Sequence, residues 1–302
     1  MSAYLRALRM ERWPRSMAIF SGCAAYFFLY PGAFPPSGLF GIGVKAAAAF
    51  LLTWGISTAN YVVNEIVDQA FDRHHPSKKL RPLAAGEIRK GPFALIGLAL
   101  TVICLGLAAA AFPLPFFLSL AGLLMAGIIY NVKPIRTKDI PFLDSISESA
   151  NNPIRFLIGW YALAPAAHFP PLALLASWWA FGNFLMVAKR LSEFRFLKEK
   201  AADYRTSHKK YTRNKLLAGM IVSAVVCLAA FLFFAGREHW PSFFIIAPFL
   251  AVFFLMIFRK TLREAEVMEE PEKLLASPVF AFYTLFLLGL FVLAFFLDAA
   301  GG

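Results

Sequence analysis

Apolar residues run along this chain in long unbroken stretches, with neither the two-residue period of a strand nor the stripe of a surface helix. Nine such segments cover residues 16–34, 39–66, 91–112, 114–131, 142–165, 170–190, 215–236, 240–258 and 276–298. Most reach the ~20 residues a helix needs to cross about 30 Å of hydrocarbon. A transmembrane barrel needs short alternating strands, and a run such as 46–54 does not alternate. Pro31–Gly32 with Pro35–Pro36, Pro113 with Pro115, Pro165 with Pro170–Pro171, and Gly236 with Pro241 mark turns between segments. The pattern predicts an all-α integral membrane protein of nine transmembrane helices, built as one domain over residues 1–302.

Composition agrees. Of 302 residues, 59% are hydrophobic and only 16% charged, which excludes a disordered chain and argues against a water-soluble domain. The net charge of +12 could suggest nucleic acid as a partner. Its distribution points elsewhere. All but three of the 30 Lys and Arg lie in the N-terminal stretch and in every second loop, the exceptions being Lys45, Arg155 and Arg237. Basic residues collect in cytoplasmic loops, so the N-terminus is expected in the cytoplasm and the C-terminus outside, with no nucleic acid bound. Cys23, Cys104 and Cys227 sit in apolar runs without metal-ligand spacing and read as small buried hydrophobes. No cleavable signal peptide is expected.

The second segment ends in a polar run from Asn60 to Asp72. Asn64, Asp68 and Asp72 recur every four residues, which on a helix places them on one face with about 40° of drift per step. Two carboxylates and an amide stacked this way repel unless a cation lies between them. Mg²⁺ takes hard oxygen ligands, commonly one or two carboxylates plus substrate phosphates. The plainer reading is a solvated helix end with incidental acids. Basic residues follow in the next loop, Lys78 and Arg81 among them, and suit a diphosphate, although positive-inside charge alone would also put cations there.

Asn64-x3-Asp68-x3-Asp72-Arg, followed by His75-Pro-x-Lys78-x2-Arg81-Pro-Leu-Ala-Ala-Gly86, resembles the first signature of the UbiA superfamily of intramembrane prenyltransferases. The resemblance implies nine transmembrane helices around a central cavity open to lipid, with the Asn/Asp helix holding Mg²⁺ and the diphosphate of a donor. It implies metal ligation by Asn64, Asp68 and Asp72, catalytic roles for Asp68, Asp72, Lys78 and Arg81, and a substrate-binding role for Asn60. Glu65 departs from the Asp that many members carry after the Asn.

A second polar group comprises Tyr130, Lys133, Arg136, Lys138, Asp144, Glu148, Asn151 and Arg155. Tyr130 followed shortly by Lys resembles the family pattern before its fifth helix. Asp144, Glu148, Asn151 and Arg155 are three to four residues apart and are expected to share a face. Arg155 lies inside an apolar span, where a lone charge is expensive, so it should pair with an acid such as Glu148 or with a phosphate. Tyr130, Lys138, Glu148, Asn151 and Arg155 are substrate-binding candidates, and Asp144 a catalytic one.

Where many members have a second Asp-x3-Asp motif, this chain reads Lys189-Arg190-x2-Glu193, with Tyr204 and Tyr211 downstream. That stretch resembles the branch that transfers phosphoribose from phosphoribosyl diphosphate to decaprenyl phosphate. Arg9-x3-Trp13-x-Arg15 and Glu270-Pro271-Glu272 are similar to stretches of the same branch. Two cations and one anion cannot hold a second metal but suit an acceptor phosphate, so Lys189, Arg190 and Glu193 are expected to bind substrate. An aromatic carboxylate could use the same arginine. Expected partners are membrane lipid, a diphosphate donor and a polyprenyl phosphate or diphosphate, with Mg²⁺ as cofactor at the cytoplasmic face of the inner membrane. Prenyl transfer to an aromatic ring, a transporter and a basic scaffold are the alternatives. A transporter would place its acids near the midplane in inverted repeats, whereas these cluster at helix ends.

Overall fold

The computed structural model describes residues 2–30, 32, 38–73, 78–197, 206–264, 274 and 277–301. Among these, all regular structure is helical. The α-helices are α1 (Ala3–Ala7), α2 (Ile19–Leu29), α3 (Gly38–Asp72), α4 (Lys90–Ala111), α5 (Leu114–Asn131), α6 (Leu143–Ser149), α7 (Asn151–Leu163), α8 (Leu172–Leu197), α9 (Arg213–Arg237), α10 (Ile246–Arg263) and α11 (Pro278–Gly301). Short 3₁₀ stretches intervene at Met10–Ala18, Lys78–Leu80, Thr137–Asp139, Thr206–Lys210 and Pro241–Ile245.

Seven helical stretches among the described residues are long and apolar enough to cross a membrane: Gly38–Ala70, Lys90–Ala111, Leu114–Asn131, Leu172–Phe196, Arg213–Arg237, Pro241–Arg263 and Pro278–Asp298. They match seven of the nine expected spans. The other two differ in form. Among the described residues of 16–34, the α-helix is the 11-residue α2, preceded by the 3₁₀ stretch that contains Pro14. Residues 142–165 divide into α6 and α7 at Ala150. Both interruptions fall near a proline, which lacks the N–H that an α-helix returns to the carbonyl four residues back; Pro153 cannot serve Ser149. The shared face expected from Asp144 to Arg155 is therefore split between two helices.

The chain forms two compact units, Met1–Thr137 with Asn151–Pro170, and Lys138–Ala150 with Pro171–Gly302. In the first, α3 packs on α4, α5 and α7, and α2 packs on α7. The α2–α7 contact is close because both helices offer glycine. A Cβ on Gly22 would overlap the Phe156 carbonyl, and one on Gly159 would overlap that of Ile19. Small residues let helix backbones approach where lipid supplies no hydrophobic drive for association. The Cys23 thiol donates to the Gly159 carbonyl across this seam at 3.1 Å.

In the second unit α8 packs on α6, α9 and α10. Its core includes Phe184, Val187, Leu191, Leu216, Met220, Phe254 and Ile257. The Asn183 amide donates to Ser223 Oγ at 2.9 Å, tying α8 to α9. Outward faces remain apolar, as at Leu95, Leu98, Val102 and Ile103 on α4 and Val222, Val225 and Phe233 on α9. Such continuous apolar surface matches acyl chains.

Candidate active site

Helix α3 sets the geometry of the first unit. Its 35 residues span about 52 Å, well beyond the ~30 Å of hydrocarbon. Its last turns, with Asn64, Asp68 and Asp72, therefore exceed what the apolar core requires. Each acid meets an arginine. Arg136 Nη2 lies 3.0 Å from Asp68 Oδ1, and Arg81 Nη1 pairs with Asp72 Oδ2. Asp72 is buried, and Asp68 and Asn64 are half-buried. Asn60 donates to the Leu123 carbonyl of α5 at 2.9 Å and faces Gly127, where a Cβ would collide with its amide.

Arg81 is held in place by its neighbours. The turn that carries it closes through Ala85 N–H to the Arg81 carbonyl at 2.8 Å and Glu87 N–H to the Pro82 carbonyl at 2.9 Å. Gly86 adopts φ +79, which a side chain would resist. Two α3 side chains clamp the buried Leu83. Its N–H donates to Glu65 Oε1 at 3.3 Å, and Gln69 Nε2 donates to its carbonyl at 3.1 Å. Glu65, the departure from the family motif, thus anchors the loop that carries Arg81. Arg136 is oriented from behind by Nη1 donation to the Asn131 carbonyl at 3.1 Å.

The second unit holds a buried ionic network on α6, α8 and the 206–211 stretch. Arg190 is fully buried, and three carboxylates share its guanidinium. Nε donates to Asp144 Oδ2 at 2.8 Å, Nη2 pairs with Glu148 Oε2, and Nη1 lies 3.2 Å from Glu193 Oε1. Arginine can do this because its planar fork carries five N–H donors. Asp144 also accepts from Ser145 N–H at 2.9 Å, Ser207 Oγ at 3.1 Å and the Tyr211 hydroxyl at 2.5 Å. With Arg190 that makes four bonds, the full capacity of a carboxylate. His208 Nε2 lies 3.0 Å from Glu193 Oε2. Burial, then the charge of Asp144 and the bond to it, push the Tyr211 hydroxyl above its ordinary range, so it stays a donor. Glu148 is the more exposed end of the network, with Lys189 Nζ 3.7 Å from its Oε1.

Asp144 has no exposed surface and accepts from Arg190, Ser145, Ser207 and Tyr211. Arg190 is likewise committed to three acids, and Glu193 is sealed beside it. Lys189 and Glu148 remain at the accessible edge. Asn151 and Arg155 lie half-buried on α7 in the first unit, and Tyr130 lies half-buried at the end of α5. Lys138 is buried in the second unit. The Lys78 side chain, His75, Tyr204 and Glu270–Glu272 lie outside the described residues.

Sequence reading passed over the structural work of Glu65, Gln69, Arg136, Ser207 and His208. Only Arg136 had a signal, its place in the basic cluster after α5.

Comparison with known proteins agrees with this architecture. Residues 18–284 match the UbiA prenyltransferase family, and the chain belongs to that family. The matched stretch runs through both units. A decaprenyl-phosphate phosphoribosyltransferase of Mycolicibacterium smegmatis is 27% identical over 79% of this chain and 72% of its own length. One from Corynebacterium glutamicum is 26% identical over 78% of this chain and 68% of its own. A UbiA homologue from Archaeoglobus fulgidus, solved bound to DMAPP and Mg²⁺, superposes with a TM-score of 0.71 at 19% identity, covering 97% of this chain and 99% of that one. The protein is an integral membrane transferase, which sets aside the transporter and scaffold readings.

Proposed function

We propose that the chain, acting as one UbiA-type domain, transfers a phosphoribosyl group from phosphoribosyl diphosphate to a polyprenyl phosphate at the cytoplasmic face of the inner membrane. The observation that carries the reading is the state of α8. Where a second pair of metal-binding acids would stand on α8, this chain carries Lys189 and Arg190, with Arg190 paired to Asp144, Glu148 and Glu193 and Lys189 beside Glu148 at the edge. The two phosphoribosyltransferase relatives support the same donor.

The residues of α3 fit a single Mg²⁺. Among the described residues no three His, Cys, Asp or Glu side chains cluster as a metal cage. Two carboxylates and an amide on one face suit Mg²⁺ completed by substrate phosphates. A carboxylate offers about four lone-pair sites, so pairing with an arginine and ligating a metal are compatible. Asn64, Asp68 and Asp72 would hold the ion. When bound, Mg²⁺ supplies charge neutralisation to the departing diphosphate.

The protein's own groups do the rest. Arg81 and Lys78 bind the diphosphate and stabilise the charge that grows as it leaves. Glu65 and Gln69 fix Arg81 through Leu83, and Arg136 orients Asp68. The ribosyl C1–O bond breaks with its electron pair going to the diphosphate, and an acceptor phosphate oxygen forms the new bond to C1. The acceptor is already anionic, so no strong base is needed. Within the second unit, Lys189 and Lys138 are the candidate phosphate-binding cations, and Arg190 holds Glu148 and the end of α8 in register. The all-but-three bias of basic residues toward one set of loops supports the cytoplasmic placement.

The test is purified protein with Mg²⁺, given phosphoribosyl diphosphate and polyprenyl phosphate, and separately polyprenyl diphosphate and an aromatic acid. The expected result is a phosphoribosyl lipid and release of diphosphate in the first mixture only. A prenylated ring from the second mixture, with no phosphoribosyl product from the first, rejects the reading.

A further inference from the structure

Three arginines of the N-terminal stretch converge on one tyrosine of α3. The Arg9 guanidinium lies 6.0 Å from the Tyr61 ring centre and that of Arg12 lies 5.8 Å from it, while Arg15 Nη1 is 3.4 Å from the Tyr61 hydroxyl. Tyr61 stands three residues before Asn64, roughly on the helix face that carries Asn64, Asp68 and Asp72. The cations therefore gather one turn before the oxygen ligands proposed for Mg²⁺, inside the same unit.

Among the described residues Arg9 faces one acid but bonds to none. Its side chain is only 15% exposed, and its closest acid, Glu65 Oε2, is 3.9 Å away, beyond hydrogen-bond reach. Among the described residues none of its guanidinium donors reaches an acceptor. Burial, with the nearby charges of Arg81 and Arg12, lowers its pKa to about 10. The Arg9 guanidinium, half-sealed, with its own planar donors unbonded and two further arginines beside it, has the makeup of a phosphate site.

We propose that Arg9, Arg12 and Arg15 around Tyr61 bind a phosphate monoester that is distinct from the diphosphate on the Asn64–Asp72 face. Two substrates of the proposed reaction carry such a group: the donor, as the 5-phosphate of its ribose, and the polyprenyl phosphate acceptor. An isoprenyl diphosphate has none, so a cluster that takes the donor would also act in choosing it. The choice of these two ligands rests on the phosphoribosyl reading above; the arginine cluster does not.

Calorimetric binding in the presence of Mg²⁺ tests this without turnover. The ligands are phosphoribosyl diphosphate, its analogue lacking the 5-phosphate, and farnesyl phosphate. The proteins are wild type, Arg12→Gln, Arg9→Gln and the double variant Arg9→Gln/Glu65→Gln, which leaves no stranded carboxylate. Loss of charge-assisted bonds should weaken the monoester ligand about tenfold or more. If phosphoribosyl diphosphate weakens while its truncated analogue does not, the site takes the donor. If farnesyl phosphate alone weakens, the site takes the acceptor. Either result supports the cluster as a phosphate site. Folded variants that bind all three ligands as wild type does would overturn it. Wild type that binds farnesyl phosphate through these arginines but ignores phosphoribosyl diphosphate would reject the function above and leave the site standing.

Discussion

Arg190 Nε lies 2.8 Å from Asp144 Oδ2, and neither side chain has any exposed surface. The two residues are 46 positions apart, on α8 and α6, and the pair locks those helices together. Removing one member of a buried pair leaves the other charge desolvated, at about 3–5 kcal/mol. Arg190→Ala and Asp144→Asn should both lower the denaturation midpoint strongly. Arg190→Lys should rescue little, because an ammonium cannot fork to three carboxylates. A midpoint unchanged in Arg190→Ala would contradict the network.

Tyr211 gives the same network an alkaline limit. Its hydroxyl accepts from Phe142 N–H at 2.7 Å and donates to Asp144. Its folded pKa is raised, so its contribution is complete below the unfolded value near ~10 and is lost as pH climbs through the folded one. Tyr211→Phe should cost about 1–2 kcal/mol at neutral pH. It should also flatten the decline in stability above about pH 10. Equal pH profiles for wild type and variant would refute the assignment.

On α3, Asp68→Asn and Asp72→Asn should each reduce turnover about a hundredfold or more while the protein stays folded. The deficit should be greatest at limiting Mg²⁺. Near-normal rates for either variant under those conditions would remove that acid from the metal site.

The glycine seam between α2 and α7 predicts a contrast among glycines. Gly22→Ala and Gly159→Ala force a methyl into a facing carbonyl and should cost about 1–3 kcal/mol. Gly43→Ala and Gly106→Ala meet nothing within 4 Å and should be neutral or slightly stabilising. Thermal unfolding in detergent reads both sets, and equal losses in all four would show that the seam is not tight.

The one-face spacing on α3 is legible in the sequence. Asn64, Asp68 and Asp72 share a face because helical period and spacing coincide, and Arg81 follows nine residues after Asp72. Glu65 looked like a simple departure from a motif. Its role emerged only when the loop folded back to put Leu83 N–H within 3.3 Å. The family resemblance implies a catalytic Asp144, and two adjacent cations in place of a second acidic motif imply an acceptor-binding Arg190. In the fold Asp144 gathers Arg190, Ser145, Ser207 and Tyr211, and Arg190 also meets Glu148 and Glu193.

Local order along the chain determined what repeats locally: the apolar segments, their proline and glycine boundaries, the sidedness of the basic loops and the polar end of α3. Each follows from periodicity or length over a few turns. Tertiary structure alone decided which charges meet. Arg136 reaches Asp68 across 68 positions, and Asp144 gathers Arg190, Ser207 and Tyr211 from as far as 67. The energy of a buried charge depends on which partners surround it in three dimensions, and residue type and spacing do not encode that.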